Sequence, residues 1–148
     1  MRIERTVTVD RPLGVVFPYL ADFTTTTEWD PGTVHTVRES GDGGVGTRYR
    51  NTSRFAGRET ELTYVVEERR ENELLHLRGE NATVVAHDTM RFEAVPVGAG
   101  PDLGTRVTYT AEFAFKGLVR FVAPLLSPAF RKLGDEAEHG MRESLQRL

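Results

Sequence analysis

The sequence predicts an α+β fold in which about seven antiparallel strands form a curved sheet that wraps around a long C-terminal helix. Two patterns support this prediction. Between residues 33 and 116, apolar and polar residues alternate in six runs that short glycine-rich or polar turns separate. From residue 130 to the last residue, apolar residues recur every three or four positions, as on one face of an amphipathic helix. The length of 148 residues suits a single domain, residues 1–148.

The chain begins with a strand and two short helices. Apolar residues share one face of residues 3–9, and Arg5 interrupts that face, which is typical of a strand at the edge of a sheet. Pro12 fits the first turn of the helix that follows. A second short helix covers residues 22–29, and the Asp-Pro-Gly sequence after it indicates a turn. Both short helices therefore lie between the first and second strands.

Six further strands cover residues 33–39, 47–55, 58–68, 74–79, 83–95 and 105–116. Because their connections are short, neighbouring strands are expected to be antiparallel. Residues 41–46 match the Gly-x-Gly-x-x-Gly spacing of dinucleotide-binding proteins, but a strand follows them where that motif requires a helix, so we interpret them as a hairpin turn. One helix cannot fill the concave side of so many strands, and the layout therefore predicts an internal cavity.

Composition excludes several classes of function. The net charge is −3, so the chain lacks the basic excess that a phosphate backbone requires, and we expect no nucleic-acid partner. The absence of cysteine removes thiolate chemistry and fits a reducing compartment. The most apolar stretch, residues 118–130, is too short and too often broken by proline to span a membrane, and no signal peptide is evident. We expect a cytoplasmic monomer or homodimer without cofactor or metal.

The order of elements and several short motifs resemble the helix-grip fold of the START-like superfamily, and within it the polyketide cyclase/dehydrase and lipid-transport group, often called SRPBCC proteins. The motifs are VDRP at residues 9–12, EWDP at 28–31, VGTRY at 45–49, GTRVTY at 104–109 and GL at 117–118. The resemblance covers essentially the whole chain. It implies a hydrophobic ligand cavity between sheet and terminal helix, which members use for lipids, sterols, polyketides or plant hormones. It leaves catalysis open, since some members are cyclases and many are carriers.

Asp88 is the first candidate for a functional residue. On the strand at residues 83–95 the even-numbered positions form the apolar face, and Asp88 is among them. A carboxylate on an apolar face has to be paired, hydrated or protonated, because bare burial is costly. Asp88 is thus a candidate for orienting a ligand or transferring a proton. The alternatives are an ion pair with a neighbouring arginine or a place at the wet end of a cavity.

Polar and aromatic residues supply further candidates for ligand contact. Arginines mark the outer face of the strand at residues 47–55, so Tyr49, Asn51 and Ser53 are expected to point inward. With Tyr64 and Tyr109 they would provide the few hydrogen-bonding groups of an apolar pocket, unless the tyrosines belong to the core. The remaining predicted ligand contacts are Met90, Phe113, Phe121, Leu125, Leu126 and Phe130. Phe121, Leu125 and Leu126 lie in the proline-broken stretch after the last strand, for which ordinary packing or a dimer contact is the alternative.

The four histidines offer little chemistry by sequence alone. His35 is a second candidate for acid–base catalysis, because Arg38 marks the opposite face of its strand as outward. His76 and His87 are predicted to face outward. His139 lies near Asp135 and Glu136 on the terminal helix, but their spacing is not that of a metalloprotease, and a solvated helix face explains them without a metal.

Three functions remain open from the sequence. The first is binding of a small hydrophobic ligand, lipid-, sterol- or polyketide-like, in the cavity. The alternative is an enzyme of the polyketide cyclase or dehydratase type, in which Asp88, Tyr49 or His35 transfers a proton. The third is a protein-interaction module of the co-chaperone kind. We favour binding over catalysis, because a cavity without cysteine and with few histidines has few groups for chemistry.

Overall fold

The computed structural model describes residues 1–148 and contains one seven-stranded antiparallel sheet. The strands are β1 (Arg2–Val9), β2 (Thr33–Ser40), β3 (Arg48–Phe55), β4 (Arg58–Arg70), β5 (Leu74–Glu80), β6 (Val84–Pro96) and β7 (Leu103–Phe115). Their order is β1-β7-β6-β5-β4-β3-β2, so β2 to β7 form a meander and β1 adds to its far side. The predicted fold class is confirmed, and β1 lies at an edge as expected.

The helices lie on one side of this sheet. They are α1 (Leu13–Ala21), α2 (Thr26–Trp29) after the 3-10 turn Phe23–Thr25, α3 (Val119–Val122), and α4 (Ser127–Gln146) after the 3-10 turn Ala123–Leu126. Proline stands next to or within the first turn of several of these segments, because it lacks the amide hydrogen that a helix interior needs. None of the helices combines the length and the apolar character that crossing a membrane demands.

The main core lies between the concave face of the sheet, α1 and the second half of α4. Its α4 residues are Ala137, Met141 and Leu145, which recur at helical spacing and are buried. At Gly140 a Cβ atom would collide with the backbone carbonyl of Trp29. The glycine therefore allows α4 to rest directly on the end of α2, and this contact fixes Trp29 beneath the helix.

A bulge in β2 decides which of its side chains face inward. The register with β3 shifts between Thr33 and His35, so the alternation of inward and outward side chains along β2 is displaced by one residue at this point. Thr36 is buried as a result, whereas His35 is exposed. The prediction that His35 faces inward is wrong. The bulge places His35 on the face opposite to Thr33, and Arg38, which was taken to mark the outer face, shares the inner face with Thr36 but is exposed.

The helical segment between β7 and α4 also differs from expectation. Phe121 is 65% exposed and Leu125 is 78% exposed, so both point away from the interior. Leu126, the third residue predicted at the pocket, does line the interior, and so does Val119. Because one helical turn separates inward positions by three or four residues, Phe121 and Leu125 lie on the opposite face of the segment. Their predicted contact with a ligand is contradicted in this structure.

Candidate functional site

A cavity of about 510 Å³ lies between the sheet and the helices α2, α3 and α4. Its walls are mainly apolar and come chiefly from β3, β4, β6 and β7 and from α4. Small-molecule sites in proteins commonly have volumes of about 300–1,000 Å³ and mostly apolar walls. The cavity expected from the layout is therefore present, and its size suits a small organic molecule.

Aromatic rings form one side of the cavity. Phe130 of α4 packs against Phe55, Phe113 and Phe115 of the sheet, with ring centroids 4.4, 5.1 and 5.7 Å away. All four residues line the cavity, as predicted for Phe113 and Phe130. Such rings provide large apolar contact area at low cost in side-chain freedom. This side can therefore hold an apolar ring or chain.

Asp88 lies on the inner face of β6, as strand alternation predicted, and is only 5% exposed. Its Oδ2 accepts a hydrogen bond of 2.7 Å from the hydroxyl of Tyr109 on the neighbouring strand β7. No salt bridge of the chain involves Asp88. The alternative that an arginine pairs with this carboxyl group is therefore wrong.

Burial changes the protonation of this cluster. It raises the pKa of Asp88 to about 7, although the hydrogen bond from Tyr109 acts in the opposite direction, and the negative charge of Asp30 adds to the rise. Burial and the nearby Asp88 charge raise the pKa values of Tyr109 and Tyr64 well above 10. At neutral pH both phenols thus stay protonated, while Asp88 is divided between its two protonation states.

Two buried polar atoms at the cavity have no partner in the protein. They are Oδ1 of Asp88 and the indole Nε1 of Trp29, and both residues line the cavity. A buried polar group without a hydrogen bond costs about 1–3 kcal/mol. The site therefore holds an unused donor, the indole N–H, and an unused carboxyl oxygen in otherwise apolar surroundings.

The predicted polar residues of β3 lie at the cavity wall but already have partners. Asn51 donates to Thr36 Oγ1 at 2.8 Å, and its Oδ1 accepts from Ser53 Oγ at 2.6 Å. Thr36 in turn shares a hydrogen bond of 2.6 Å with Thr26. Asn51 and Ser53 both line the cavity as expected. These side chains connect β2, β3 and α2 through hydrogen bonds. Unlike Asp88 Oδ1 and Trp29 Nε1, their polar atoms have partners in the protein.

Two predicted ligand contacts belong to the core instead of the cavity. Tyr49 is 1% exposed and packs against Phe23 with ring centroids 5.7 Å apart, and Met90 is fully buried. Both lie on the inner face of the sheet, but neither lines the cavity. The physical reason is that α1 and the 3-10 turn at Phe23 cover their part of the sheet. Ligand contact by Tyr49 or Met90 is therefore contradicted here.

Several wall residues were not among the predicted contacts. They are Trp29, Leu62, Val84, Phe115 and Leu133. Strand alternation places Leu62, Val84 and Phe115 on inner faces, so the signal for these three was present in the sequence. Trp29 belonged to a motif that was interpreted only as a turn.

Asp135, Glu136 and His139 of α4 each form an ion pair with a different partner and do not form one cluster. Asp135 pairs with Arg5 at 2.9 Å, Glu136 with Lys132 at 3.7 Å, and His139 with Glu143 at 3.3 Å. Each of these pairs is on the surface. The arrangement agrees with the interpretation of this face as solvated.

Solved structures with the same fold have low sequence identity to this chain. The Zhui aromatase/cyclase from Streptomyces sp. R1128 is 16% identical, with a TM-score of 0.78 over 99% of this chain and 94% of that one. A protein from Thermus thermophilus is 17% identical, with a TM-score of 0.76 over 99% of this chain and 97% of that one. A START superfamily protein from Mycobacterium smegmatis is 18% identical, with a TM-score of 0.68 over 99% and 94%. At this identity the likeness shows the fold alone.

No curated protein matches the chain in sequence. A family model does match, over residues 1–148, and describes polyketide cyclase / dehydrase and lipid transport proteins. The match covers the strands, the helices and every residue of the cavity. This match identifies the chain as a member of the polyketide cyclase/dehydrase and lipid transport family.

Proposed function

We propose that the protein binds a small, mostly apolar molecule that carries a hydroxyl or carbonyl group, in the cavity beneath α4. The observation that carries this proposal is the pair of unpartnered polar atoms, Trp29 Nε1 and Asp88 Oδ1, in a cavity with aromatic and aliphatic walls. A lipid-, sterol- or polyketide-like molecule has the matching chemistry, because it combines a large apolar body with few polar groups.

The energetics favour such a ligand over water-soluble molecules. A hydroxyl group can accept from Trp29 and donate to the Asp88 carboxylate, and each satisfied group recovers part of the desolvation cost of about 1–3 kcal/mol. Asn51 and Ser53 already bond to each other. Arg54, Arg58 and Thr60 also line the cavity but are exposed, so they offer little to a polar group that lies deep inside. A strongly polar ligand would therefore lose more hydration than it regains.

Native mass spectrometry of the freshly purified protein tests this proposal. We expect a bound hydrophobic molecule, and we expect Val84→Phe, which fills part of the cavity, to remove it. Val85→Phe is the matched control, because Val85 is the next residue of β6 and faces the outside of the sheet. A ligand retained equally by both variants, or a wild-type protein that takes up no apolar probe, would refute the proposal.

A second candidate function, acid–base catalysis, rests on the pKa of about 7 at Asp88. A general base works best when its pKa lies near the operating pH. Asp88 could take a proton from a carbon beside a carbonyl group of a polyketide-like chain, which leaves the charge on the carbonyl oxygen. Tyr109 replaces Tyr49 as its partner, since Tyr49 does not reach the cavity. The similarity to an aromatase/cyclase supports this candidate.

Binding and catalysis differ in one measurable way. Asp88→Asn should abolish turnover of a polyketide-like substrate analogue if Asp88 transfers a proton. It should weaken retention of the ligand only modestly, because the new amide can still form a hydrogen bond with the ligand's polar group and the apolar walls are unchanged. If the wild type retains a ligand but shows no turnover, catalysis is excluded for that substrate class and binding is the remaining function. The protein-interaction alternative would be favoured by a cavity filled by side chains, and the cavity is open. We keep a cytoplasmic monomer or homodimer as the proposed state, on the grounds of composition alone.

A further inference from the structure

Two histidines meet on the outer face of the sheet, on the opposite side from the cavity. His76 of β5 and His87 of β6 place their ring nitrogens Nε2 and Nδ1 3.0 Å apart. Their rings are tilted by 31° with centroids 5.2 Å apart. A carboxylate oxygen of Glu67 on β4 lies 3.9 Å from His76 Nε2. One ligand atom from each of the three residues lies within 4.8 Å of the other two.

Strand register explains why these residues converge. His76 pairs with Thr89 and His87 pairs with Arg78, so the two histidines are diagonal neighbours on adjacent strands. On β4 a register shift between Val66 and Glu68 leaves Glu67 as an extra residue. Both Glu67 and Glu68 are exposed on the outer face as a result. No spacing along the sequence reveals this cluster, because it draws on three different strands.

The site is preorganised. Both imidazoles are half-buried, and the side chain of His76 is 27% exposed, so neighbouring side chains restrict both rings. Without a metal, the two facing nitrogens need a hydrogen between them, with one acting as donor and the other as acceptor. A metal ion can replace that hydrogen and bind both nitrogens at once.

The surrounding charges add to the attraction for a cation. Glu112 on β7 lies directly opposite His87 in the register, and Glu68 lies opposite His76. The cationic side chains at this face are mostly paired. Arg78 contacts Glu80 at 2.9 Å, and Arg70 contacts Glu68 at 3.5 Å. Arg91 also lines the shallow surface depression at this face, where it opposes a cation.

We propose that Glu67, His76 and His87 form a binding site for a divalent transition-metal ion of the zinc type. Two ligands that each lie about 2.0–2.1 Å from a tetrahedral zinc ion are about 3.3–3.4 Å apart. The nitrogens at 3.0 Å need to move by only a few tenths of an ångström, and the exposed Glu67 side chain can close its gap by changing rotamer. Imidazole with carboxylate favours Zn²⁺, Cu²⁺ or Ni²⁺ over Mg²⁺ or Ca²⁺. The fourth position is open to water or to Glu112.

The bound ion would link three strands, β4, β5 and β6, across the outer face of the sheet. It would therefore stabilise the sheet without entering the cavity on the other side. The inference is independent of the proposed function, since Asp88 and Trp29 take no part in it.

Isothermal titration of the full chain with Zn²⁺ alone tests the proposal, with Mg²⁺ as a comparison. We expect one Zn²⁺ per chain and no comparable binding of Mg²⁺. His87→Ala and His76→Ala should each weaken Zn²⁺ binding by at least about tenfold. His139→Ala is the matched control, because His139 is exposed on α4 and should change the affinity by less than about twofold.

Two further measurements guard against variants that fail to fold. Glu67→Gln changes an exposed side chain and should weaken Zn²⁺ binding with no effect on the urea midpoint of the metal-free protein. In the unmodified protein, nitrogen NMR should show Zn²⁺-induced shifts at His76 Nε2 and His87 Nδ1 and not at His35. Absence of saturable Zn²⁺ uptake, or equal loss of binding in His139→Ala, would overturn the proposal.

Discussion

Asp88→Asn replaces a buried, titrating carboxyl group by a neutral amide of nearly the same shape. The hydroxyl of Tyr109 can still donate to the amide oxygen, so the packing around β6 and β7 should persist. In the wild type, the pKa of Asp88 is about 7 in the folded chain, against an ordinary value of 3.8. The folded state therefore holds a proton that the unfolded chain has released. The stability from this protonated form is complete below the unfolded pKa and is lost as pH rises through the folded pKa.

The size of this loss follows from the two pKa values. Each tenfold change in protonation corresponds to about 1.4 kcal/mol. Between about pH 5 and about pH 8, the difference between the two pKa values predicts that the free energy of unfolding of the wild type falls by about 2.5 kcal/mol. Asp88→Asn cannot titrate, so its free energy of unfolding should not include this loss. Relative to the wild type, the variant should gain about 2.5 kcal/mol over the same pH range.

Urea unfolding at the two pH values measures this difference. Asp102→Asn is the control, because Asp102 is exposed in the loop before β7 and forms no salt bridge. Other titrating groups, including the histidines, are common to all three proteins and cancel in the comparison. A relative change below about 0.5 kcal/mol would refute the reasoning, since it would mean that Asp88 is ionised in the folded chain at both pH values.

Three glycine substitutions test the packing around the cavity. Gly140→Ala should destabilise the protein by about 1–3 kcal/mol or more in urea unfolding, because its Cβ would collide with the carbonyl of Trp29. Gly14→Ala should instead stabilise by about 0.5–1 kcal/mol, since its Cβ meets no atom in α1, and a loss there would contradict the argument. Gly79→Ala would place a Cβ against the ring of Tyr64. It should alter the near-ultraviolet circular dichroism and weaken ligand retention, and an unchanged spectrum would exclude displacement of the ring.

Much of the sheet could be predicted from the sequence, because burial on one face imposes a period of two on each strand. That period placed Asp88 and Asn51 on the inner face correctly. It failed at His35, where a bulge in β2 offsets the alternation. Nothing in the local residue pattern marks that bulge, since it depends on how β2 pairs with β3.

Strand alternation predicts which side chains face inward, but it does not predict which of these inward-facing side chains line the cavity. Tyr49 and Asn51 share the inner face of β3, yet only Asn51 lines the cavity. The distinction depends on where Phe23 packs, and that is a tertiary contact. Trp29 reaches the wall because Gly140 lets α4 approach, a relation between residues more than a hundred positions apart. Alternation within one strand contains no information about such contacts.

Helix α4 and the α3 segment that precedes it are held in different ways. Near the carboxyl end, Met141 and Leu145 are buried in the core, and Arg11 donates a hydrogen bond of 3.1 Å to the carbonyl of Leu148. At the amino end of α4, Phe130 is buried against aromatic rings of the sheet. The segment before α4, which includes Phe121 and Leu125, exposes its apolar side chains and covers the cavity with one face only. We therefore expect that movement that admits a molecule costs least free energy in the α3 segment, and that entry and exit occur there.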